Sequence, residues 1–324
     1  WQYGKVLPAE RALPQPFSCA LNPRLFMGQD TSMDGAQFLQ VLIIGLSQGC
    51  VYGLVALGFV LIYKATEVVN FAQGDLMMIG MFIAFTFLNV LGMPYWLGLM
   101  CTCASMALIG ALLERVLIRP MIGEPTFAVL MLTVGLGFIL RSFAGSVWGA
   151  DPKSIHNPFS GEVLRLGEVF LGFENIAVMV GTALVCIALG LYFRYARIGV
   201  SMQAASQNQL AAVLVGISVN RVTSLAWALS AGIAGFAGVM LAPVSLIDPQ
   251  VGFIGIKAFA AAIIGGLGSL PGALIAGIAI GVIEQFAQIT LPTSLATASP
   301  YLVMLIILIV RPGGLFASVQ RKKV

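Results

Sequence analysis

The sequence predicts an all-α fold, a polytopic bundle of about eight to ten membrane-spanning helices. Three observations carry this. Of 324 residues, 59% are hydrophobic and only 9% charged, well below the roughly one-quarter charged content of an ordinary soluble domain. Mean hydropathy is +0.97. The apolar residues also fall into runs near the ~20-residue length that crosses a bilayer, separated by short segments that hold most of the charge.

In chain order the runs lie at about 36–63, 76–92, 95–118, 126–147, 175–193, 222–247, 252–267, 271–291 and 298–311. Pro94, Pro243, Pro249, Pro271, Pro292 and Pro300 mark breaks near their ends. Segment 194–221 carries Arg194, Arg197 and Arg221 and no acid, and the tail carries Arg311, Arg321, Lys322 and Lys323. Segment 148–174 carries Asp151, Glu162, Glu168 and Glu174 against Lys153 and Arg165. Positive residues stay on the cytoplasmic side, which puts 194–221 and the C-terminus inside and 148–174 outside. Nine passes with an external N-terminus satisfy every loop, and a re-entrant 252–267 would break that parity.

Residues 1–32 are polar and proline-containing, with no apolar run, and Met33 directly precedes the first span. They read as a disordered N-terminal extension, from cloning or upstream translation, ahead of a permease domain over 33–324.

Several functions are disfavoured. No G-x-x-x-x-G-K-[ST] loop, H-E-x-x-H or G-x-S-x-G occurs, so neither ATP hydrolysis by a P-loop nor familiar hydrolytic chemistry is expected of the chain. Cys19, Cys50, Cys101, Cys103 and Cys186 lack the spacing of a metal site, and the lone His156 reads as a solvated loop residue. No Lys/Arg stripe suits nucleic acid. The ionisable candidates within runs are Glu114, Arg115, Lys257 and Glu284. An ion-coupled carrier keeps charges or broken-helix ion sites at mid-membrane, so this scarcity favours an external energy source over a channel or ion-coupled carrier.

Four segments carry the functional reading. The stretch Gly199–Arg221 is polar and free of acids, with Gln203 and Ala204 in its first half and Ala211, Ala212, Gly216 and Ile217 in its second. Held between two spans, it is a place for another protein to grip. Asn70-Phe71-Ala72-Gln73-Gly74-Asp75 opens the second span. It is either a cap and turn, through Asn70 or Asp75, or a helix N-terminus that lines a transport path and suits an anionic group. In 255–272, Gly265, Gly266, Gly268, Pro271 and Gly272 break helical geometry near Lys257 and Phe259. Such backbone either makes a tight hairpin or lines a cavity. Gly45, Gly49 and Gly53 form a ridge along one helix face, for packing within the subunit or for a moving or dimer-facing surface.

Taken in order, Gly53-Leu-Val-Ala-Leu-Gly58, Val69-Asn-Phe-Ala-Gln-Gly-Asp75, Ala211-Ala212-Val-Leu-Val-Gly216-Ile217, Lys257-Ala-Phe259, Gly265-Gly-Leu-Gly268, Pro271-Gly272 and Arg311-Pro-Gly-Gly-Leu-Phe316 resemble the membrane permeases of branched-chain amino acid ABC transporters. The resemblance covers about Met33 to Phe316. It implies an inner-membrane subunit of an ATP-driven importer of branched-chain or other hydrophobic amino acids, working by alternating access. A related branch carries urea and short amides. The resemblance also implies a second related permease (a heterodimer or a homodimer), two ATP-binding subunits that hold the ATP and magnesium, and a periplasmic substrate-binding protein. It makes the central loop a coupling helix that docks on the ATPase. There Ala211-Ala212-x-x-x-Gly216 fits the pattern, whereas Leu210 and Gln203 stand where Glu and Arg are common.

Overall fold

The computed structural model describes residues 35–121, 123–155, 163–166, 169–207 and 209–316. The chain divides before Gly35. The expectations for residues 1–32, Met33, Cys19, His156 and the basic residues Arg321, Lys322 and Lys323 fall outside the described residues.

The elements are α1 (Gly35–Thr66), α2 (Gln73–Phe85), α3 (Tyr95–Leu113), α4 (Thr126–Trp148), β1 (Val163–Leu166), β2 (Val169–Gly172), α5 (Phe173–Tyr195), α6 (Arg197–Gln207), α7 (Gln209–Leu214), α8 (Val219–Leu241), α9 (Ile254–Gly265), α10 (Leu270–Thr290) and α11 (Thr293–Val310). Counting the π-helical turns that extend α2 to Val90 and α3 onward, eight helices among the described residues are long and apolar enough to cross a bilayer. The chain is an integral membrane protein. Beyond the all-α expectation, β1 and β2 form a small antiparallel hairpin inside the acidic 148–174 segment, with Val163 opposite Gly172.

The run at 252–267 is not a full-length span. It folds as a single 3-10 turn, Val251–Phe253, followed by the 12-residue α9. At 1.5 Å per residue α9 is about 18 Å long, short of the ~30 Å hydrocarbon core. Turns over 242–250 and the 3-10 turn cover the rest of the distance from Ile247, so α10 and α11 keep the directions that nine passes would give them.

Contacts fix which ends lie together. Lys64 at the end of α1, Gln203 of α6, and Gly268, Ser269 and Pro271 before α10 surround one recess. The backbone N–H of Leu315 donates to Ile264 O at the end of α9 (2.8 Å). These all mark one end of the bundle, here the α6 end. At the opposite end, Trp148 Nε1 donates to Thr86 Oγ1 (2.8 Å). Lys153 and Ile247 exchange backbone hydrogen bonds of 3.0 and 2.8 Å, which pin the loop after α4 to the segment leading into α9.

The core is built by α1, α2, α8, α9 and α10, where Tyr52, Phe59, Met77, Met81, Phe82 and Trp227 are buried. The perimeter helices α4, α5 and α11 present Phe138, Ile187 and Ile309 outward, as a lipid-facing surface allows. Along α1 and α10 the backbones themselves touch. A Cβ at Gly49 would lie 2.6 Å from Ile278 Cα, and one at Gly45 would lie 2.8 Å from Val282 Cα. From the other side, Gly277 faces Gly53 and Gly281 faces Gly49. Without a hydrophobic drive between helices in lipid, this close approach is the source of packing energy.

Candidate functional site

Two helices begin inside the bundle. After α1 the chain reverses at Glu67, whose φ of 57° is the sole positive value among the described non-glycine residues, and runs back between the helices. By Gln73 it has reached Gly58, with the Gln73 amide so close that Gly58 could carry no side chain. Gly58 lies eight residues before Thr66, so α2 starts about 12 Å inside the end of α1. The start of α9 meets it there, since a Cβ at Gly74 would lie 2.6 Å from Gly255 Cα.

Backbone ends at this depth need polar partners, and the chain supplies them. Asn70, Gln73 and Ser230 are each fully buried. Asn70 Oδ1 accepts the Ala72 N–H at 3.1 Å. Gln73 Nε2 donates to Ser230 O at 3.3 Å, and Ser230 Oγ lies 2.9 Å from Gly58 O and 3.0 Å from Gln73 Oε1. The Phe71 N–H donates to Thr133 Oγ1 of α4 at 3.2 Å. Neither Asn70 nor Asp75 caps α2, which corrects that part of the sequence reading. Asn70 instead closes a turn one residue ahead of the helix.

Asp75 is committed to an ion pair. Its Oδ1 accepts from Arg141 Nε of α4 at 2.5 Å. The carboxylate sits in a slot between Gly137 and Gly252, and a Cβ on either glycine would collide with it. Phe253 covers the guanidinium, 3.8 Å from ring centroid to Cζ. On the other side of α9, Lys257 Nζ donates to Glu284 Oε1 of α10 at 2.5 Å, and Tyr52 OH of α1 donates to Glu284 Oε2 at 2.8 Å. Phe259 packs between Phe59 and Phe71, with centroid distances of 5.4 and 5.2 Å. A third pair, Glu114 with Arg119 at 3.3 Å and with Ser224, ties the π-helical end of α3 to α8. Among the described residues no group of three His, Cys, Asp or Glu could hold a metal ion.

A cavity at one end of the bundle reaches Asn70 and Thr133, and a shallow open recess at the other end reaches Arg141. The cavity, about 310 Å³, opens at the α6 end between the starts of α4 and α8, with Thr66, Asn70, Thr133, Thr223 and Trp227 on its walls. The recess, about 510 Å³, opens at the opposite end and is lined by Arg141, Ser142, Gly145, Asp248 and Gln250 among others. Thr133 and Arg141 are eight residues apart on α4, so about 12 Å, filled by the buried Asp75 and Gly137, lies between the two openings.

The structure therefore gathers Asn70, Phe71, Gly74, Asp75, Lys257 and Phe259 around one level of the bundle. It places Gly265, Gly266, Gly268, Pro271 and Gly272 elsewhere, in the turn between α9 and α10 at the α6 end. Gly266 there adopts φ 90°, and Ser269 Oγ caps α10 by accepting the Gly272 N–H at 3.2 Å. Gly265 packs directly on Gly272. Gly45, Gly49 and Gly53 lie in the α1–α10 contact inside this subunit.

In the central loop, Gly199 folds α6 back onto α5, where a Cβ would lie 2.5 Å from Tyr192 O. Ala204 and Gln203 lie on α6. The α7 segment ends in a Schellman turn, in which the Ile217 N–H donates to Ala212 O at 2.9 Å and the Gly216 N–H to Val213 O at 3.0 Å, with Gly216 at φ 85°. Ala212 is buried, while Ala211 is exposed and Val213, Leu214 and Val215 project outward.

The sequence reading missed Arg141, Tyr52 and Ser230. Arg141 sits at the end of an apolar run, in Ile139-Leu140-Arg141-Ser142. A cation there is costly unless partnered, and that cost was the available signal.

An apolar bundle whose polar groups meet at mid-depth, approached by an opening from each end, defines a membrane transport subunit. The chain belongs to the family of branched-chain amino acid transport system permease components, whose family model matches residues 41–310. It is 30% identical to the high-affinity branched-chain amino acid transport system permease protein LivH of Escherichia coli (strain K12), over 89% of this chain and 98% of that protein. The same identity and coverage hold for BraD, the corresponding permease protein of Pseudomonas aeruginosa. A probable LivH of Methanocaldococcus jannaschii is 28% identical over 89% of this chain and 93% of that protein. No solved structure matches the chain.

Proposed function

We propose that this chain is the permease subunit of an ATP-driven importer that carries branched-chain or similar hydrophobic amino acids across a bacterial inner membrane. The observation that carries the reading is a pair of openings at opposite ends of the bundle, one reaching Asn70 and Thr133 and the other Arg141, with the buried Asp75 between them. A short packed barrier between two openings suits alternating access. The relatives, named as branched-chain amino acid permeases, supply the substrate class.

In this reading the α6 end is cytoplasmic and the β1–β2 hairpin periplasmic, in line with the arginines of 194–221 and the acids of 148–174. The segment Gly199–Ile217 docks on an ATPase subunit through the outward Val213, Leu214 and Val215 beside the Schellman turn. Two such ATPases hold ATP and magnesium. A second related permease, or a second copy of this one, completes the membrane unit, and a periplasmic binding protein delivers substrate. The substrate path runs past Asn70, Phe71, Asp75 and Phe259.

The test is to purify the chain from its native membrane with its partners and reconstitute the complex in liposomes. Recovery of an ATP-binding subunit and leucine uptake that requires ATP and the binding protein are expected. Solute movement by the chain alone without ATP would replace the importer with a channel or carrier. Urea uptake in place of leucine uptake would reassign the substrate.

A further inference from the structure

The cavity opposite the α6 end has a chemistry that the family name does not assign. Its floor is Arg141, on α4 seven residues and about 10 Å inside Trp148. Asp75 Oδ1 accepts the hydrogen bond of Nε, and the slot between Gly137 and Gly252 fixes that carboxylate. Phe253 covers one face. Among the described residues, no hydrogen bond engages either terminal nitrogen of the guanidinium. The side chain is 20% exposed. A guanidinium fork presented this way is preorganised for a carboxylate.

Asp248 stands on the wall of the same cavity. Its Oδ1 accepts the Gln250 N–H at 2.5 Å, which orients the carboxylate within a tight turn. Arg141 and Asp248 are the two charged residues of the lining, one of each sign, and Pro152 and Pro249 add apolar surface. The recess is shallow and open, with Ser142, Ala150, Pro152 and Gln250 exposed around it.

We infer that this recess is a receiving site for a zwitterionic α-amino acid, with its carboxylate on Arg141 and its ammonium on Asp248. The inference rests on the importer reading and adds to it a pair of groups in the permease itself that read both charges of the substrate. A neutral amide satisfies neither charge, and a simple carboxylic acid or amine satisfies one.

The experiment uses the full complex without binding protein, in vesicles with the recess end outward, and the variant Ser142→Cys. A membrane-impermeant maleimide is added, and modification is counted at position 142 alone by peptide mass. Millimolar leucine is expected to slow labelling about threefold or more. Leucinamide, which lacks the carboxylate, and 4-methylpentanoate, which lacks the ammonium, are expected to slow it much less. Adding Asp248→Asn, a change at a partly exposed wall residue that leaves the Asp75–Arg141 pair in place, is expected to remove the protection by leucine. Equal protection by all three compounds, no protection by any, or no labelling from the outer side overturns the site. ATP-driven leucine uptake by the same complex, measured in parallel with binding protein added, keeps the outcomes apart. Uptake without selective protection sinks the receiving site and leaves the importer standing, whereas loss of ATP dependence sinks the importer itself.

Discussion

The contact between α1 and α10 and the junction between α2 and α9 both depend on glycine, yet they solve different problems. Between α1 and α10, Gly45, Gly49, Gly53, Gly277 and Gly281 bring two continuous helices into backbone contact. The backbone groups there are satisfied within their own helices, and the polar contact between them, Tyr52 OH to Glu284, is between side chains. At the junction Gly74 and Gly255 bring two helix starts together, and a helix start leaves N–H groups without intrahelical partners. Polar side chains therefore collect at that place: Asn70, Gln73 and Ser230 on one side, Asp75 with Arg141 on another. Glycine gives strength where the helices are regular. Where they begin, it brings polar chemistry to mid-depth.

Substitutions can break this contrast, and the largest effect is expected in the α1–α10 contact. Gly49→Leu drives a side chain into Ile278 backbone that cannot yield, so it should cost at least the ~3 kcal/mol upper range of overpacking. Little folded protein should survive detergent extraction and size-exclusion chromatography. A monodisperse Gly49→Leu protein of normal yield would show that the two helices can separate.

Next comes the Lys257–Glu284 pair, which links the α1–α10 contact to α9. Removing one partner leaves a buried charge uncompensated, at a cost of about 3–5 kcal/mol, while removing both is far milder. Glu284→Leu should therefore lower thermal stability more than the double variant Lys257→Met/Glu284→Leu. A double variant as unstable as the sum of the singles would remove coupling between the two charges.

Ser230→Ala acts at the junction and is expected to be smaller for the fold. It removes the one hydroxyl proton for which Gly58 O and Gln73 Oε1 compete, worth about 1–2 kcal/mol. Uptake should fall more than stability does, read as initial rate against melting temperature of the same preparation. A proportionate fall in both would make the polar cluster purely structural.

Smallest for stability is Gly216→Arg, outside both regions. The positive φ costs about 1–2 kcal/mol for a non-glycine residue, and no neighbour lies within contact of the new Cβ. Insertion and yield should hold while ATP-driven uptake is lost, because bulk and charge at the exposed turn block docking. Normal uptake in this variant would move the docking surface away from Gly216.

Much of this was legible in the sequence. Hydropathy runs gave the bundle, because lipid leaves a long apolar helix no alternative. The 70–75 segment stood out because Asn, Gln and Asp are costly in an apolar setting. Arg141 was not legible in its role, because its partner Asp75 is 66 positions earlier in the chain and pairing across that distance leaves no local pattern. The apolar run at 252–267 looked like a span because hydropathy records composition and not where a helix begins. The glycines of 265–272 fit a hairpin and a cavity lining equally well on sequence, since both need backbone freedom. The cap that Ser269 places on α10 and the contact of Gly265 with Gly272 make a hairpin, and Gly268 and Pro271 also border the recess beside Lys64 and Gln203.

The α1–α10 contact has a mechanical consequence. Backbones that touch at Gly49 and Gly281 have no long side chains between them to change rotamer, so the pair has no slack along which to slide. The two helices behave as one strut. The short α9 is joined to that strut by the tight turn at Gly266 and by the Lys257–Glu284 clasp, so a tilt of the strut carries α9 with it. At its other end α9 meets the start of α2 backbone to backbone at Gly255 and Gly74, so displacement produced at the α6 end is passed through α9 to the start of α2, beside Asp75.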